Sequence, residues 1–330
     1  MLSKQPRRRS STALRRAAEG ESVRTIVIAL LANLVIGAAK LMAGLASHST
    51  GMLAEAAHSA ADSVNEIFLA IGLRREKDPP DEIHPLGHGR ERFLWAFMAA
   101  IASFLIGGCL SIVLAIRELE TRHPVGATMA AWIVLAISFA ADGASWLQSM
   151  RQARRQAREY NLTVWRYLVR ASDPVVRAIV VEDSAALAGL AIAAGGLLAS
   201  RIAGTNVPDS IASLLIGLLL AVTAFGVARP LADFLIGRSL PPEQVDAVHA
   251  LVSQNPAIEE VLTLRAVYTG PEEVVVFGKV HPSPQLNIDE LSRAMDDLDR
   301  AIRSRFPVVA DFIDVTNTRG DAKNTAEITS

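Results

Sequence analysis

The feature that most constrains this chain is the separation of its charged residues from six long apolar stretches. A helix needs about 20 residues to cross the hydrocarbon core of a bilayer at ~1.5 Å rise per residue. The stretches cover about residues 25–47, 50–73, 93–117, 125–149, 176–201 and 208–229. Hydrophobic residues make up 51% of the chain beside 20% charged residues, which requires this segregation. The sequence therefore predicts an α-helical membrane protein with a bundle of six transmembrane helices.

The distribution of basic residues predicts the orientation of these spans. An even number of spans places both termini on one side of the membrane. Arginine and lysine concentrate before the first span, after the second and after the fourth, whereas the opposite connections carry mainly Arg117, Arg122 and Arg201. Because cytoplasmic connections are enriched in basic residues, we expect both termini in the cytoplasm of a cell whose inner membrane holds the protein.

The first 23 residues form a basic, serine-containing segment with no acidic residue before Glu19. One interpretation is a disordered cytoplasmic tail that helps to orient the first span. The other is an organelle targeting segment, which has the same composition. The segment lacks the apolar core of a secretory signal peptide, and the sequence leaves the first two interpretations open.

The composition changes at Pro230 to that of a small water-soluble domain. The predicted domains are a basic tail, a transmembrane domain, a cytoplasmic α+β domain and a disordered tail, at residues 1–23, 24–229, 230–316 and 317–330. Helical and strand periodicities alternate within the third domain. They predict, in order, helix, strand, strand, helix and strand, at about 241–253, 260–268, 273–281, 289–303 and 309–315. This order indicates a three-stranded sheet with both helices on one face.

Ionisable residues within the predicted spans are the strongest indication of function. Each costs at least ~2.5 kcal/mol on insertion scales, so it needs a partner, a wet cavity or a task. His58 and Asp62 lie four residues apart in the second span and therefore on one helix face. An imidazole and a carboxylate held in this way supply two ligands of a tetrahedral divalent-metal site. A hydrogen-bonded pair between helices is the alternative.

Three further acids lie at a similar depth in other spans. At ~1.5 Å per residue, Asp62 lies about 16 Å from its predicted cytoplasmic helix end, and Asp142 and Asp183 about 11 Å from theirs. Glu182 is adjacent to Asp183 in the fifth span. The convergence of three acidic helices at one level predicts an intramembrane cation site. Lys40, late in the first span, is expected to extend its ammonium group toward the membrane surface.

A second group of potential ligands lies in the loop after the second span, in the segment DEIHPLGHGRERF. Asp81, His84 and His88 combine two imidazoles and a carboxylate, which suit zinc and similar metals. Pro85 and Gly87 are equally typical of an ordinary polar turn. The residues alone leave a metal-capture site and a structural turn as open alternatives.

Four segments of the chain resemble the cation diffusion facilitator, or zinc transporter, family. They are TGMLAEAAHSAADSVNE, HPLGHGRERF, PDSIASLLIG and LIGRSLPPE. The resemblance implies a homodimer with six transmembrane helices and a cytoplasmic, metallochaperone-like (ferredoxin-like) domain. It implies exchange of cytoplasmic zinc or a related metal for protons. It also implies that His58 and Asp62 belong to the transport site, and Asp81, His84 and His88 to a loop site.

The chain departs from this family in two places. The fifth span lacks the family's second ligand, since Ala186 and Leu187 follow four residues after Glu182 and Asp183. The sequence EDSAALAG instead resembles a divergent branch, the zinc transporter nine group, which leaves Asp183, Glu182 and Asp142 as alternative ligands. In the soluble domain, Leu262 and Gly278 stand where the family often has ligands, and the histidines are His249 and His281. We expect no binuclear site there, and we expect His281 to be an ordinary surface residue.

These patterns favour a secondary active transporter over other classes of membrane protein. The transported ion is expected to be zinc, with manganese, iron, cobalt and cadmium as alternatives. A metal sensor or scaffold that keeps the fold without transport is the rival hypothesis. The chain has no phosphate-binding loop, nucleophile elbow or His-Glu-x-x-His motif to indicate an enzyme. The single cysteine, Cys109, allows no disulfide framework, and we expect no prosthetic group and no nucleic-acid partner.

Overall fold

The structure of the protein is a computed structural model. It describes residues 30–121, 128–159, 163–164, 174–271, 273–306 and 308–316. The predicted basic tail and C-terminal tail lie outside these residues. The chain forms two compact units. One comprises the described residues up to Gly72 together with those of Trp95–Pro230, and the other comprises Leu73–Leu94 together with the described residues from Leu231 onward.

Long helices build the first unit, and three of them extend past its boundaries. Their bounds are Leu30–Ser47 (α1), Thr50–Arg75 (α2), Glu91–Ala102 (α3), Leu110–Thr121 (α4), Met129–Glu159 (α5), Pro174–Ala203 (α6) and Val207–Ile236 (α7). A π-helical segment, Ser103–Cys109, joins α3 to α4. Small and branched apolar residues of five helices form a buried core. Its members are Ala43, Met52, Ala54, Ala131, Leu135, Leu190, Ala193, Leu197, Ile216 and Leu220.

Within the part of the chain that the structure describes, five helical segments are long and apolar enough to cross a membrane, by length and composition. They are Leu30–Ser47, Glu91–Glu120, Met129–Arg155, Ile179–Ala203 and Val207–Ile236. The prediction of a multi-pass helical membrane protein is therefore confirmed, whereas the count of six spans is not. The second predicted span is a 26-residue helix, α2, which is long enough but carries three acidic residues. Its place in the membrane stays a prediction.

The outer surface of the first unit is strongly apolar. Met42, Val222 and Phe225 have 71%, 64% and 66% of their surface exposed. Large exposed patches of this kind are rare on water-soluble monomers and mark contact with a membrane or a partner. This surface fits a hydrocarbon environment.

A buried aspartate ties the turn between α1 and α2 to the start of α7. Asp209 is fully buried and accepts hydrogen bonds from the Ser49 hydroxyl at 2.8 Å and the Thr50 hydroxyl at 3.1 Å. The backbone N–H of Gly51 donates to the same carboxylate at 3.1 Å. Ser49 also accepts from the N–H of Met52, which caps the first turn of α2. This network satisfies polar groups that would otherwise be buried without partners.

Glycines bring the π-helical segment close to α7. A Cβ atom on Gly108 would lie 3.1 Å from the Cβ of Ala221, and one on Gly217 would lie 3.0 Å from the carbonyl oxygen of Gly108. Small residues at helix contacts allow backbones to approach closely in a membrane. The two segments therefore pack nearly backbone to backbone.

The last long helix extends beyond its predicted end. The composition change at Pro230 predicts that the sixth span stops at residue 229, but α7 runs through Pro230 to Ile236. Proline removes one helical hydrogen bond, a loss that membrane helices tolerate. The helix ends instead at Ile236. The next residue, Gly237, has a φ of +121°, a backbone conformation that glycine adopts readily.

The second unit contains a three-stranded sheet and two helices. Their bounds are Pro242–Ser253 (α8), Ile258–Gly270 (β1), Glu273–Pro282 (β2), Ile288–Arg305 (α9) and Val308–Val315 (β3). The strand order is β1-β2-β3, with β1 and β2 antiparallel and β2 and β3 parallel. Val248 and Val252 of α8 share one buried core with Leu298 and Ile302 of α9. The predicted α+β domain with both helices on one sheet face is confirmed.

The second unit also includes the loop between α2 and α3, which the domain boundaries predicted from the sequence assign to the membrane domain. Arg92 forms an ion pair with Glu76 at 3.2 Å within this segment. The ring of Phe93 stacks on that of Phe234 with centroids 4.7 Å apart, and Phe234 contacts Tyr268 of β1. Aromatic contacts therefore link the start of α3, just after the loop, to the end of α7 and to β1.

Candidate metal centres

The histidine and aspartate of α2 adopt the geometry that their spacing predicts. His58 Nδ1 lies 3.6 Å from Asp62 Oδ1, one helical turn away. His58 is buried, and its Nε2 atom has no hydrogen-bond partner in the part of the chain that the structure describes. A buried ring nitrogen without a partner is costly unless a ligand uses it. The pair therefore presents one free nitrogen and one carboxylate to a bound cation.

Acids on α5 and α6 lie near this pair. Asp142, Glu182 and Asp183 are each close enough to Asp62 for their charges to interact. Asn65 donates to the Glu182 carboxylate at 3.4 Å, and Ser149 donates to Asp183 at 2.8 Å. All three candidate acids therefore lie near Asp62 of the second helix. Glu182 and Asp183 also accept hydrogen bonds from polar neighbours, which orient their carboxylates.

The intramembrane residues are near one another but do not form a closed coordination shell. Among the residues that the structure describes, only the loop group brings three His, Cys, Asp or Glu ligand atoms within 4.8 Å of one another. The set His58, Asp62, Asp142, Glu182 and Asp183 therefore remains a prediction. A cation bound there needs these helices or side chains to move closer together.

The structure contradicts the expected position of Lys40. Its ammonium group does not extend to the membrane surface: the side chain is 1% exposed and forms an ion pair with Glu55 at 3.0 Å. A second acid, Asp142, lies 3.9 Å from the same Nζ atom. Lys40 is seven residues from the end of α1 at Ser47, a distance of about 10 Å along the helix, which is too far for the side chain to span. The only sequence signal for this pairing is the presence of three acidic residues on α2, any of which could neutralise a buried lysine.

Glu55 and Glu66 are further polar residues of α2 that the sequence does not assign to a site. One oxygen of Glu55 is buried without a hydrogen-bond partner among the described residues. It lies so close to α6 that a Cβ atom on Gly189 would be 2.5 Å from it. Asn33 of α1 donates to Glu66 at 3.0 Å. Spacing on one helix cannot reveal such contacts, because they depend on the neighbouring helices.

The loop residues form a compact cluster in the second unit. Asp81 contacts both histidines at 3.2 Å, through His84 Nδ1 and His88 Nε2. The two imidazole rings lie 4.3 Å apart, and Gly87 turns the chain between them with a φ of +85°. Asp81 and His84 are about half exposed, whereas the His88 side chain is 9% exposed. Two nitrogen ligands and a carboxylate in this arrangement can hold a divalent metal accessible from solvent.

The electrostatics of the loop cluster favour ionised Asp81. A hydrogen bond from the backbone N–H of His84 lowers the pKa of Asp81, and contact with His88 adds to this effect. Desolvation lowers the pKa of His88, but hydrogen bonds to Glu91 and Asp81, together with their charges, raise it overall. The imidazole of His88 is thus surrounded by negative charge, which attracts cations as well as protons.

The histidines of the soluble domain occupy different environments. His249 is exposed on α8. The expectation that His281 is an ordinary surface residue is wrong, since its side chain is 12% exposed and its Nδ1 lies 2.8 Å from the carbonyl oxygen of Thr316. Gly278 lies in β2 opposite Leu264, a pairing without side-chain ligands. His281 therefore fastens the end of β2 to the chain after β3.

The chain is similar to three proteins whose names refer to metal tolerance, zinc antiport and manganese efflux. Metal tolerance protein C4 of Arabidopsis thaliana is 32% identical over 76% of this chain and 55% of its own length. The human protein named proton-coupled zinc antiporter SLC30A9, mitochondrial, is 28% identical over 81% of this chain and 46% of its own. Manganese efflux system protein MneP of Bacillus subtilis is 26% identical over 76% and 81%. The chain spans about half the length of the first two.

A family model described as the cation efflux transmembrane domain matches residues 26–236. This range contains His58, Asp62, Asp142, Glu182 and Asp183, together with the loop cluster. The match covers well over half of the chain. The chain therefore belongs to the cation efflux, or cation diffusion facilitator, family, within the branch that resembles the zinc antiporter SLC30A9.

Proposed function

We propose that this protein exports divalent metal cations, zinc first among them, by proton-coupled antiport across a membrane. The observation that carries this proposal is the contact between the buried His58 and the half-buried Asp62, with a free ring nitrogen on His58. Acids of α5 and α6 lie close enough to interact with Asp62. Ionisable groups at this density within apolar helices indicate an ion pathway.

Zinc is the first choice of substrate because two kinds of support agree. A histidine and carboxylates form a borderline site that suits zinc. One relative is named a zinc antiporter, and the manganese efflux protein keeps manganese as the next candidate. Iron, cobalt and cadmium follow, since their preferred ligands overlap with these.

The transport cycle follows from the chemistry of the ligands. His58, Asp62 and an acid of α6, either Asp183 or Glu182, hold the metal, with Asp142 as a further candidate. Ligands must lose protons to bind a metal, so protons compete with it for the same atoms. Imidazole is suited to this exchange because its unperturbed pKa of about 6.5 is near physiological pH. Protons that enter from the far side displace the metal outward.

The loop cluster captures metal before it enters this pathway. Asp81, His84 and His88 already lie within 4.8 Å of one another, and two of them are half exposed. A preassembled site needs little reorganisation, so it binds from dilute solution. This role requires the loop to face the cytoplasm, as the basic residues predict.

The remaining proposals concern the assembly and its location. We infer six membrane spans, α2 included, with both termini in the cytoplasm, and a homodimer in the inner membrane of the cell. An organelle membrane is the alternative location, since the N-terminal segment is basic and one relative is named mitochondrial. Cysteine labelling of each terminus from either side of the membrane tests the orientation.

Flux measured in proteoliposomes tests the central proposal. Vesicles that hold the full chain, with an imposed pH gradient, are expected to accumulate zinc, whereas His58→Ala and Asp62→Ala abolish uptake. His249→Ala is the matched control, because this histidine is exposed on the soluble domain. Full uptake by both variants would exclude the assignment. A rate of zinc uptake that does not depend on the pH gradient would exclude proton coupling.

A metal sensor or scaffold with the same fold is the second candidate function. It is favoured by the fifth span, where Ala186 and Leu187 replace the family's second ligand. A sensor binds zinc without moving it. Zinc bound to the purified protein, together with no uptake into the vesicles under any gradient, would decide for this alternative.

A further inference from the structure

A lysine ammonium group lies inside the cluster of intramembrane acids. Lys40 comes from α1, and its Nζ atom contacts Glu55 of α2 at 3.0 Å and Asp142 of α5 at 3.9 Å. Its side chain is 1% exposed, so water does not screen its charge. An internal cation thus joins three helices beside the candidate transport site.

The two acids that contact Lys40 differ in burial. Glu55 is fully buried, and its second oxygen lies against the backbone of α6 at Gly189. Asp142 has 23% of its side chain exposed and forms the longer of the two contacts. Glu55 therefore makes the closer, fully desolvated contact with the ammonium group, and Asp142 makes the weaker one.

The carboxylate of Asp142 interacts through its charge with Lys40 and also with Asp62 and His58, two of the candidate metal ligands. The charge of Lys40 acts directly on Asp62 and His58 as well. A metal ion held by Asp142 therefore competes with Lys40 for the same negative charge. A shared carboxylate of this kind couples occupancy of the two positions.

We propose that Lys40 is a positioning residue that competes with the transported metal for the carboxylate of Asp142. This inference rests on the proposed function. When the site is empty of metal, Lys40 neutralises Asp142 and limits repulsion among the acids. When a divalent cation binds, Asp142 turns toward it, and Glu55 retains the ammonium group. Lys40 thereby weakens metal binding enough for the metal to be released at each cycle.

Removal of the competing charge is the direct test. Lys40→Gln keeps a hydrogen-bond donor for Glu55 but removes the positive charge. Zinc binding to the purified full chain, measured by titration calorimetry at fixed pH, is expected to be about tenfold tighter than in the wild type. In proteoliposomes both KM and kcat are expected to fall, since tighter binding slows release.

A double-mutant cycle separates this role from a merely structural one. In the Asp142→Asn background, Lys40→Gln is expected to raise zinc affinity only about threefold, because the shared carboxylate is gone and only the direct effect of the Lys40 charge on Asp62 and His58 remains. The variant Lys40→Met/Glu55→Gln removes the whole ion pair without leaving a buried charge. This double variant replaces Lys40→Gln in the experiment if Lys40→Gln does not fold. It is expected to show the same gain of about tenfold in zinc affinity.

The outcomes distinguish this inference from the proposed function. If the wild type neither binds nor transports zinc, or if His58→Ala transports normally, the proposed function fails and the inference fails with it. If the wild type transports zinc but a folded Lys40 variant binds it no more tightly, the inference alone is overturned. A gain in zinc affinity of the same size in the Asp142→Asn background would overturn it as well.

Discussion

The two groups of potential metal ligands in this protein differ in how nearly complete they are. In the loop cluster, three ligand atoms already lie within 4.8 Å of one another. In the membrane cluster, the described acids and His58 are close enough for their charges to interact, but no such trio exists among them. One of these acids, Asp142, also contacts an internal lysine. Similar residues thus form one assembled and one unassembled site.

This difference corresponds to two tasks. A preassembled, partly exposed site binds a metal without large movement, so it suits capture. A site whose ligands lie on separate helices gains its full affinity only when those helices close around the ion, so metal binding shifts the balance between conformations. A transport site needs this property, since it must bind on one side and release on the other.

The largest expected effect comes from removal of ligands in each cluster in turn. His58→Ala is expected to reduce zinc flux at least about 100-fold, because it removes a ligand from a site that is already incomplete. His84→Ala is expected to reduce flux only about fivefold, mainly through a higher KM, because capture is not the only route to the pathway. Initial rates of zinc uptake over a range of zinc concentrations measure both.

This contrast has a clear contrary outcome. Equal losses in the two variants, with equal effects on kcat, would mean that the loop cluster takes part in translocation itself. The loop cluster would then not be a separate capture site.

A glycine substitution tests whether the geometry of the membrane cluster matters. Gly189→Ala is expected to lower kcat about tenfold, because the added Cβ would lie 2.5 Å from a buried oxygen of Glu55 and displace it. Gly195→Ala is the matched control on the same helix, since its Cβ would meet nothing within 4 Å. Uptake rates and thermal melting of both variants give the result. Equal activity of the two variants would contradict a fixed Glu55.

A smaller effect is expected from the serine that orients Asp183. Ser149→Ala removes a 2.8 Å hydrogen bond to this carboxylate and is expected to raise the KM for zinc about threefold. Ser145→Ala is the control, because its contacts with Asp183 are longer, at 3.4 Å. If Ser149→Ala leaves KM unchanged, Glu182 becomes the better candidate for the ligand on α6.

The smallest effect concerns the support of the loop cluster. Glu273 of β2 has a buried oxygen with no hydrogen-bond partner in the described part of the chain, and it lies against Gly89, next to His88. Burial raises the pKa of Glu273, and the charge of Glu76 adds to the shift. The ionised form therefore destabilises the folded state. This loss of stability begins as the pH rises past the ordinary pKa of 4.5 and is complete above the raised value.

Replacement of Glu273 by glutamine should remove the pH dependence of folding stability that this carboxylate causes. Glu273→Gln is expected to raise the melting temperature by about 2 °C at pH 7.5 and to leave it unchanged at pH 4. Glu243→Gln, an exposed substitution on α8, is the control. A larger gain at pH 4 than at pH 7.5 would contradict the sign of the effect.

The sequence predicts the soluble domain well because its elements carry local signals. The second helix of that domain, α9, has an apolar stripe that includes Leu298 and Ile302, and both are buried. Its start is fixed by Asn287 and Glu290, which form a reciprocal pair of side-chain to backbone hydrogen bonds. Strand β1 is longer than predicted at both ends, since its pairing with β2 extends from Ile258, opposite Pro282, to Gly270, opposite Glu273.

The contacts of the membrane cluster are harder to predict, for a physical reason. The i,i+4 spacing of His58 and Asp62 follows from helix geometry, and the structure reproduces it. The partner of Lys40 depends instead on which faces of α1, α2 and α5 meet, and composition does not determine helix rotation. For the same reason, the contact between Phe93 and Phe234, which links the start of α3 to the end of α7, has no sequence signal.

The contact between Asp209 and the turn before α2 has a consequence for biosynthesis. Ser49 is made 160 residues before its acceptor. At 5–20 residues per second, the ribosome needs roughly 8 to 32 s to add the missing carboxylate. During this interval the first helical hairpin lacks one of its main hydrogen-bond partners. Synthesis of the start of α7 thus completes the turn before α2, so a product truncated before Asp209 would expose an unfinished turn to quality-control proteases.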